Sequence, residues 1–202
     1  MRRFTGDTLL VATHNAGKLE EIAKLLDPFG VGVVGAAEKG LAEPEETETT
    51  FLGNARIKAH AAAKATGLPA LSDDSGIEID ALGGAPGVNT ADWAETGAGR
   101  DFVMAMTRAH AELVDSGAAR PWAARFCCTL VLAWPDGHDE VFSGTVEGQI
   151  IWPMRGDQGH GYDPIFLPDG HVQTFGEMDR WKKNDISHRA DAFRKLVAGC
   201  FG

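Results

Sequence analysis

The feature that most limits what this chain can become is the order of patterns near its N-terminus. Thr8 to Thr13 (TLLVAT) is a short apolar run with β-branched residues, which predicts a buried strand. His14-Asn-Ala-Gly17 then makes a turn. From Lys18 onward, Leu19, Ile22, Leu25, Leu26 and Phe29 recur at helical spacing, and Gly30 stops the helix. Val31 to Val34 reads as a second strand. A β–turn–α–β order is the start of an α/β fold.

The rest of the chain continues that theme. An acidic loop, Glu43-Pro-Glu-Glu-Thr-Glu48, precedes an Ala-rich stretch predicted as a helix over 51–66. Thr47, Thr49 and Thr50 are its candidate N-caps, and Gly67 and Pro69 end it. Residues 69–80 pass from turn to strand around Ser72-Asp-Asp-Ser-Gly76, and 82–87 predicts a loop. Residues 100–116 read as a helix with Phe102, Met106, Ala109 and Leu113 on one face. Segments 126–134 and 140–146 flank Pro135-Asp-Gly-His138, a hairpin signature. Ser187 caps a last helix running to about Cys200, with Phe193, Leu196 and Val197 as its stripe. The expected architecture is a mixed central sheet flanked by helices, one domain over residues 1–202.

Charge and cysteine usage narrow the function classes. Acidic residues number 29 and basic residues 19, a formal net charge of −10. Nucleic-acid polymers are bound by a basic excess, so they are poor candidates as partners; a small anion needs only a local cluster of Lys and Arg. Glycine accounts for 25 of 202 residues, above the usual ~7%, which predicts tight turns or close backbone approach to a ligand. Cys127, Cys128 and Cys200 make no disulfide framework, and the chain has no CxxC or HxxxH pattern of a structural zinc site. The longest apolar run, 126–134, is about nine residues against the ~20 that span a bilayer. Arg2 and Arg3 precede no uninterrupted apolar segment, which argues against a secretory leader. The expectation is a cytoplasmic protein with no membrane partner.

Several segments carry candidate chemistry, each with a plainer alternative. Thr13-His-Asn-Ala-Gly-Lys18 sits where a strand gives way to a helix N-terminus, whose outward N–H groups and dipole favour an anion. It resembles a phosphate cradle without being a Walker A motif; the alternative is an N-capping Asn15 beside a solvated Lys18. Asp73 and Asp74 are costly side by side unless a cation meets them, and Mg²⁺ would suit. If the strand continues, only one of them faces the site; alternatively both serve an Asx-turn before Gly76. Glu45, Glu46 and Glu48 form either a solvated loop or the source of a further metal ligand. Asn54 and Lys58 share one helix face, lining a cleft or facing water. Gly159-His-Gly-Tyr-Asp-Pro164 holds the single tyrosine, either a stacking platform for a base or a packed turn. Lys183, His188 and Arg189 lie around a helix start, where cations oppose the dipole; they form an anion-seeking cluster or a surface patch. Taken together, a phosphate cradle, carboxylates, an aromatic platform and a cationic cluster are what a nucleoside triphosphate hydrolase requires.

The ordered motifs Thr13–Lys18, Ser72-Asp-Asp-Ser-Gly76, Gly83-Gly-Ala-Pro-Gly87, Gly161-Tyr-Asp-Pro164 and Ser187-His-Arg189 resemble the inosine triphosphate pyrophosphatase family. These enzymes cleanse the nucleotide pool of non-canonical purine triphosphates. The resemblance runs from about Leu9 to the C-terminus. It implies two lobes with the active-site cleft between them, a homodimer, Mg²⁺ dependence, and hydrolysis of ITP, dITP and XTP to monophosphate and pyrophosphate. It implies substrate binding by Thr13, His14, Asn15, Ala16, Gly17 and Lys18, with Lys58 facing the phosphates and Ser75 touching substrate. It places His160, Gly161, Tyr162, Asp163, Lys183, His188 and Arg189 around the base. Glu46 and Asp74 match metal-ligand positions, and Asp74 the general base.

Four positions depart from the family pattern: His14 is often Gly, His160 often Phe, Asn89 often aromatic and Asp92 often Arg. None removes a charged residue assigned to the phosphates. Two other readings compete, a pyrophosphatase for other modified nucleotides and a nucleotide sensor without turnover. The intact acidic set weighs against the sensor.

Overall fold

A computed structural model of the chain describes residues 1–14 and 16–201. Strand β1 is Thr8–Val11, followed by helix α1 (Ala16–Leu26), a 3₁₀ turn (Asp27–Phe29) and β2 (Gly32–Gly35). Gly30 ends the helical segment in the left-handed region (φ 67°), as its lack of a Cβ permits. The apolar stripe of α1 is narrower than its spacing suggests: Ile22 and Leu26 are buried, whereas Leu25 and Phe29 are largely exposed.

Helix α2 occupies the expected Phe51–Thr66. Of the three candidate caps the structure uses Thr50, whose side chain accepts from the Gly53 N–H at 3.1 Å. Gly67 closes the helix at φ 70°. Its buried face is made almost wholly of alanine, with Ala55, Ala59, Ala62 and Ala63 packed on Leu10, Ala70 and Val131. Small side chains there let the helix lie close to the strands beneath it. Strand β3 then runs unbroken from Ala70 to Ile79, so Asp73 and Asp74 are strand residues and no Asx-turn interrupts them.

Beyond β3 come short 3₁₀ turns, a small hairpin of β4 (Glu95–Thr96) and β5 (Gly99–Arg100), and α3 (Phe102–Asp115). Asp101 caps α3 by accepting from the Met104 N–H at 3.0 Å. The expected stripe holds, with Met106, Ala109 and Leu113 buried. The predicted hairpin is longer than its apolar core: β6 covers Trp122–Ala133 and β7 Asp139–Ile150. A third strand, β8 (Phe166–Pro168), adds to β7 antiparallel. It is too short to show a sequence period. Helix α4 (Arg180–Ile186) precedes α5 (His188–Leu196), and a π turn finishes at Phe201. Ser187 caps α5 as expected, accepting from the Ala190 N–H.

The sheet order is β2-β1-β3-β6-β7-β8. Strands β1, β2 and β3 are mutually parallel where they pair, while β8 is antiparallel to β7, so the sheet is mixed. The chain divides into two compact units. The first comprises 1–74, 129–143 and 192–202; the second comprises 75–128 and 144–191. Strands β3, β6 and β7 each pass from one unit into the other along the chain. The first unit has the alanine-rich core under α2; the second has a core of Ile77, Met106, Phe126, Tyr162, Phe166 and Phe175 among others. Among the described residues, no helix is long and apolar enough to cross a membrane.

Candidate active site

In the first unit, three acidic side chains meet two lysines. Successive strand residues point to opposite faces, and the two adjacent aspartates accordingly find different partners. The Lys18 ammonium on α1 donates to both carboxylate oxygens of Asp73, at 3.0 and 2.8 Å. Lys58 on α2 donates to Glu46 Oε1 at 2.8 Å and stands 3.6 Å from Asp74 Oδ1. Lys58 thereby joins the acidic loop to the strand. Ser72, beside the pair, ties β3 to α2 by donating to the Ala55 carbonyl at 2.6 Å.

The electrostatics follow from this crowding. Burial pushes the Asp74 carboxyl up to about 6, with Lys58 opposing that shift and Glu46 adding to it. A carboxylate in that range can hold or release a proton near neutrality. Burial alone would lower the Lys58 ammonium, but Asp74, Glu46 and Asp73 outweigh it and hold the group above its ordinary value.

Other expected residues of this unit lie close by in the chain. His14 is exposed, and its Nε2 bonds the Leu41 carbonyl at 2.8 Å, which links the turn after β1 to the start of the acidic loop. A pocket of about 200 Å³ has His14, Leu41, Glu43, Pro44 and Lys58 in its wall. Ala16, Gly17 and Lys18 form the first turn of α1, with Thr13 just ahead of it. Asn15 lies outside the described residues.

The second unit holds the remaining candidates. Tyr162 is fully buried, its ring edge-on to Phe102 and its hydroxyl 3.3 Å from the Thr90 carbonyl. The open stacking platform read from sequence is therefore corrected: this ring is spent on the core. His160 is exposed and sits edge-to-face on Phe102 at 4.9 Å. Asp163 is buried; its Oδ2 accepts from the His160 N–H at 2.6 Å and from the Lys183 ammonium. Gly159 is required here, since a Cβ would stand 2.1 Å from that same oxygen. Lys183 belongs to α4, a short helix that the sequence patterns do not distinguish from α5. His188 and Arg189 open α5, and the His188 ring stacks on Phe126 at 5.1 Å. Ser75 follows Asp74 in β3 and is partly buried.

Two relationships were not foreseen. The Lys18 ammonium is held by Asp73, and the sequence signal for that pair is only that adjacent carboxylates demand cations. Asn54, expected merely on the Lys58 face, is buried at 3% exposure and accepts from the Glu48 N–H at 2.9 Å.

The site is thus a mixed α/β sheet with lysine-paired carboxylates on β3. Comparison with known proteins makes this specific. The Ham1 family model matches residues 9–199. A dITP/XTP pyrophosphatase of Ruegeria pomeroyi is 72% identical, aligning 100% of this chain with 98% of that protein. One of Agrobacterium fabrum is 57% identical, covering 99% of each. Among solved structures, a HAM1 protein from Coxiella burnetii superposes with a TM-score of 0.90 at 36% identity, over 95% of this chain and 96% of that one. The dITP/XTP pyrophosphatase from Mycobacterium abscessus gives 0.79 at 36% identity, over 95% and 97%. The chain belongs to the Ham1 family.

Proposed function

We infer that this chain is a nucleoside triphosphate pyrophosphatase that hydrolyses ITP, dITP and XTP to the monophosphate and pyrophosphate. The observation that carries this reading is the Glu46–Lys58–Asp74 cluster, in which two carboxylates from separate segments converge on one ammonium. The shared name of the relatives at 72% and 57% identity supports the substrate class. The reading counts residues 1–202 as one domain, since neither compact unit is a continuous stretch of chain.

Mg²⁺ is the proposed cofactor. Glu46 and Asp74 offer hard carboxylate oxygens within 4 Å of a place where a cation is already stabilised. Among the described residues, no three His, Cys, Asp or Glu side chains form a metal-holding group. Two carboxylates completed by waters and substrate phosphates is a donor set that Mg²⁺ accepts. Once bound it would neutralise triphosphate charge and favour ionisation of the attacking water.

The side chains then divide the work. Asp74 takes a proton from the water that attacks phosphorus. Lys18, Lys58 and the Thr13–Gly17 segment stabilise charge on the phosphates. Ser75 touches the substrate. His160 and Gly161 contact the base together with His188 and Arg189, Asp163 fixes the Lys183 ammonium, and Tyr162 anchors the loop from beneath. A cytoplasmic homodimer is proposed with this, and light scattering should give twice the mass of one chain.

Phosphorus NMR of ITP turnover with Mg²⁺ tests the function. Inosine monophosphate and pyrophosphate are expected; inosine diphosphate and orthophosphate would contradict it. In ¹⁸O-labelled water the label should enter the monophosphate, because attack is assigned to the α-phosphorus. Label in pyrophosphate would overturn that step.

A further inference from the structure

We propose that Ser72 is a positioning residue: its hydroxyl sets the height of α2 above β3 and so holds Lys58 between Glu46 and Asp74. This rests on the reading of Glu46, Lys58 and Asp74 given above. Ser72 is 1% exposed, and its Oγ donates to the Ala55 carbonyl at 2.6 Å, across 17 positions of sequence. Strand and helix are thereby joined at a short, fixed separation.

The spacing of the residues places this bond beside the site. Side chains two apart on a strand leave the same face, so Ser72 and Asp74 both turn toward α2. Residues three apart on a helix share a face, so Ala55 and Lys58 meet them in the same order. The first rung, Ser72 to Ala55, closes at 2.6 Å. The second, Lys58 Nζ to Asp74 Oδ1, stands at 3.6 Å, with the same Nζ 2.8 Å from Glu46 Oε1. A lysine on a flexible four-carbon stem cannot fix the distance between helix and strand. The serine, with its oxygen one bond from Cβ, can.

Alanine makes the close approach possible. Ala55 and Ala59 are fully buried in the core beneath α2. A larger side chain at either position would lift the Ala55 carbonyl out of reach of the hydroxyl. That carbonyl also accepts the helical N–H four residues on. Removing the hydroxyl therefore strands no buried acceptor, and Ser72→Ala should fold with α2 released from its rung.

Lys58 itself reports the release. Held by Glu46 and Asp74 and only 11% exposed, its ammonium is a poor target for acetic anhydride. In the metal-free protein, trace acetylation of Lys58, read by mass spectrometry against exposed Lys24, should rise about fivefold in Ser72→Ala. Ser72→Cys keeps the volume but offers only a weak S–H donor, and should move the labelling the same way. Ala63→Gly weakens the same helix more than two turns from Ala55 and leaves the rung intact, so Lys58 should label within about twofold of wild type. In ITP hydrolysis, Ser72→Ala should lower kcat about tenfold or more, because Lys58 is displaced from the phosphates, and Ala63→Gly should not. The proposal is overturned if Lys58 labels as in wild type in both Ser72 variants, or if Ala63→Gly raises labelling as much as they do. It is also overturned if Ser72→Ala exposes Lys58 yet keeps wild-type kcat. Should wild type release no pyrophosphate from ITP, the functional reading falls, while the labelling still decides whether Ser72 positions Lys58.

Discussion

Lys18 and Asp73 form a two-pronged ion pair, the ammonium 3.0 and 2.8 Å from the two carboxylate oxygens, with the Asp73 side chain only 7% exposed. Removing one partner of such a pair strands a buried charge. Lys18→Met should therefore cost about 3 kcal/mol of stability, at the low end because the lysine itself is partly exposed. Adding Asp73→Asn should restore part of the loss, giving a coupling of about 1–3 kcal/mol in a double-mutant cycle read by urea unfolding. Strictly additive losses would show that the pair contributes nothing.

Asp74 is the proposed general base. Asp74→Asn keeps the shape but can neither accept a proton nor serve well as a metal ligand. Turnover should fall at least ~10²-fold, with the far-ultraviolet spectrum unchanged. A folded variant with near-normal turnover would mean that another group is the base.

These two neighbours also show how far the sequence could be read. Its patterns located the strands and helices that position the site, because periodicity and capping are local: Thr50 and Gly67 bound α2 where their chemistry requires. Pairing across the fold is not local. Nothing in Asp73-Asp74 says which lysine each will meet, and the partner of Lys18 stands 55 positions away. Tyr162 beside glycines reads equally as a platform or a core ring, and only burial decides. Helix α4 was missed because seven residues capped by Asp179 are too few for a stripe. The resemblance names candidate site residues; the geometry supplies their side-chain partners.

On the proposed roles of Lys183 and Arg189, choice of base depends on donors. Lys183 and Arg189 have N–H groups and no acceptor. Aimed at C6, they pair with the oxo group of hypoxanthine or xanthine and oppose the amino group of adenine. Each unmatched donor costs about 1–3 kcal/mol, which for two gives discrimination of order 10²–10⁴. Arg189→Ala should reduce ITP hydrolysis far more than residual ATP hydrolysis. Equal proportional losses would place Arg189 on something the substrates share, such as phosphate.

Acid sensitivity is expected at Asp139, which accepts from Arg56 at 2.9 and 3.1 Å and bonds His60 at 2.8 Å. Burial works to raise this carboxyl, but the Arg56 and His60 hydrogen bonds outweigh it and hold it below its ordinary 3.8. A depressed carboxyl stabilises the fold above its unfolded pKa and loses that contribution as pH falls through the folded value. Asp139→Asn should thus unfold earlier than wild type at neutral pH, with the gap closing below about pH 4. A gap that persists undiminished into stronger acid would contradict the assignment.

The central claim is turnover of 6-oxo purine triphosphates at a carboxylate-bounded Mg²⁺ site. Pyrophosphate release measured side by side with ITP, XTP, GTP, ATP and dTTP, with and without Mg²⁺, tests it most directly. ITP and XTP should lead ATP by about 10² or more, and only with Mg²⁺. GTP should also be poor, through exclusion of its 2-amino group, which Lys183 and Arg189 cannot accomplish. A preference for dTTP, or binding of ITP with no pyrophosphate released, would contradict the account.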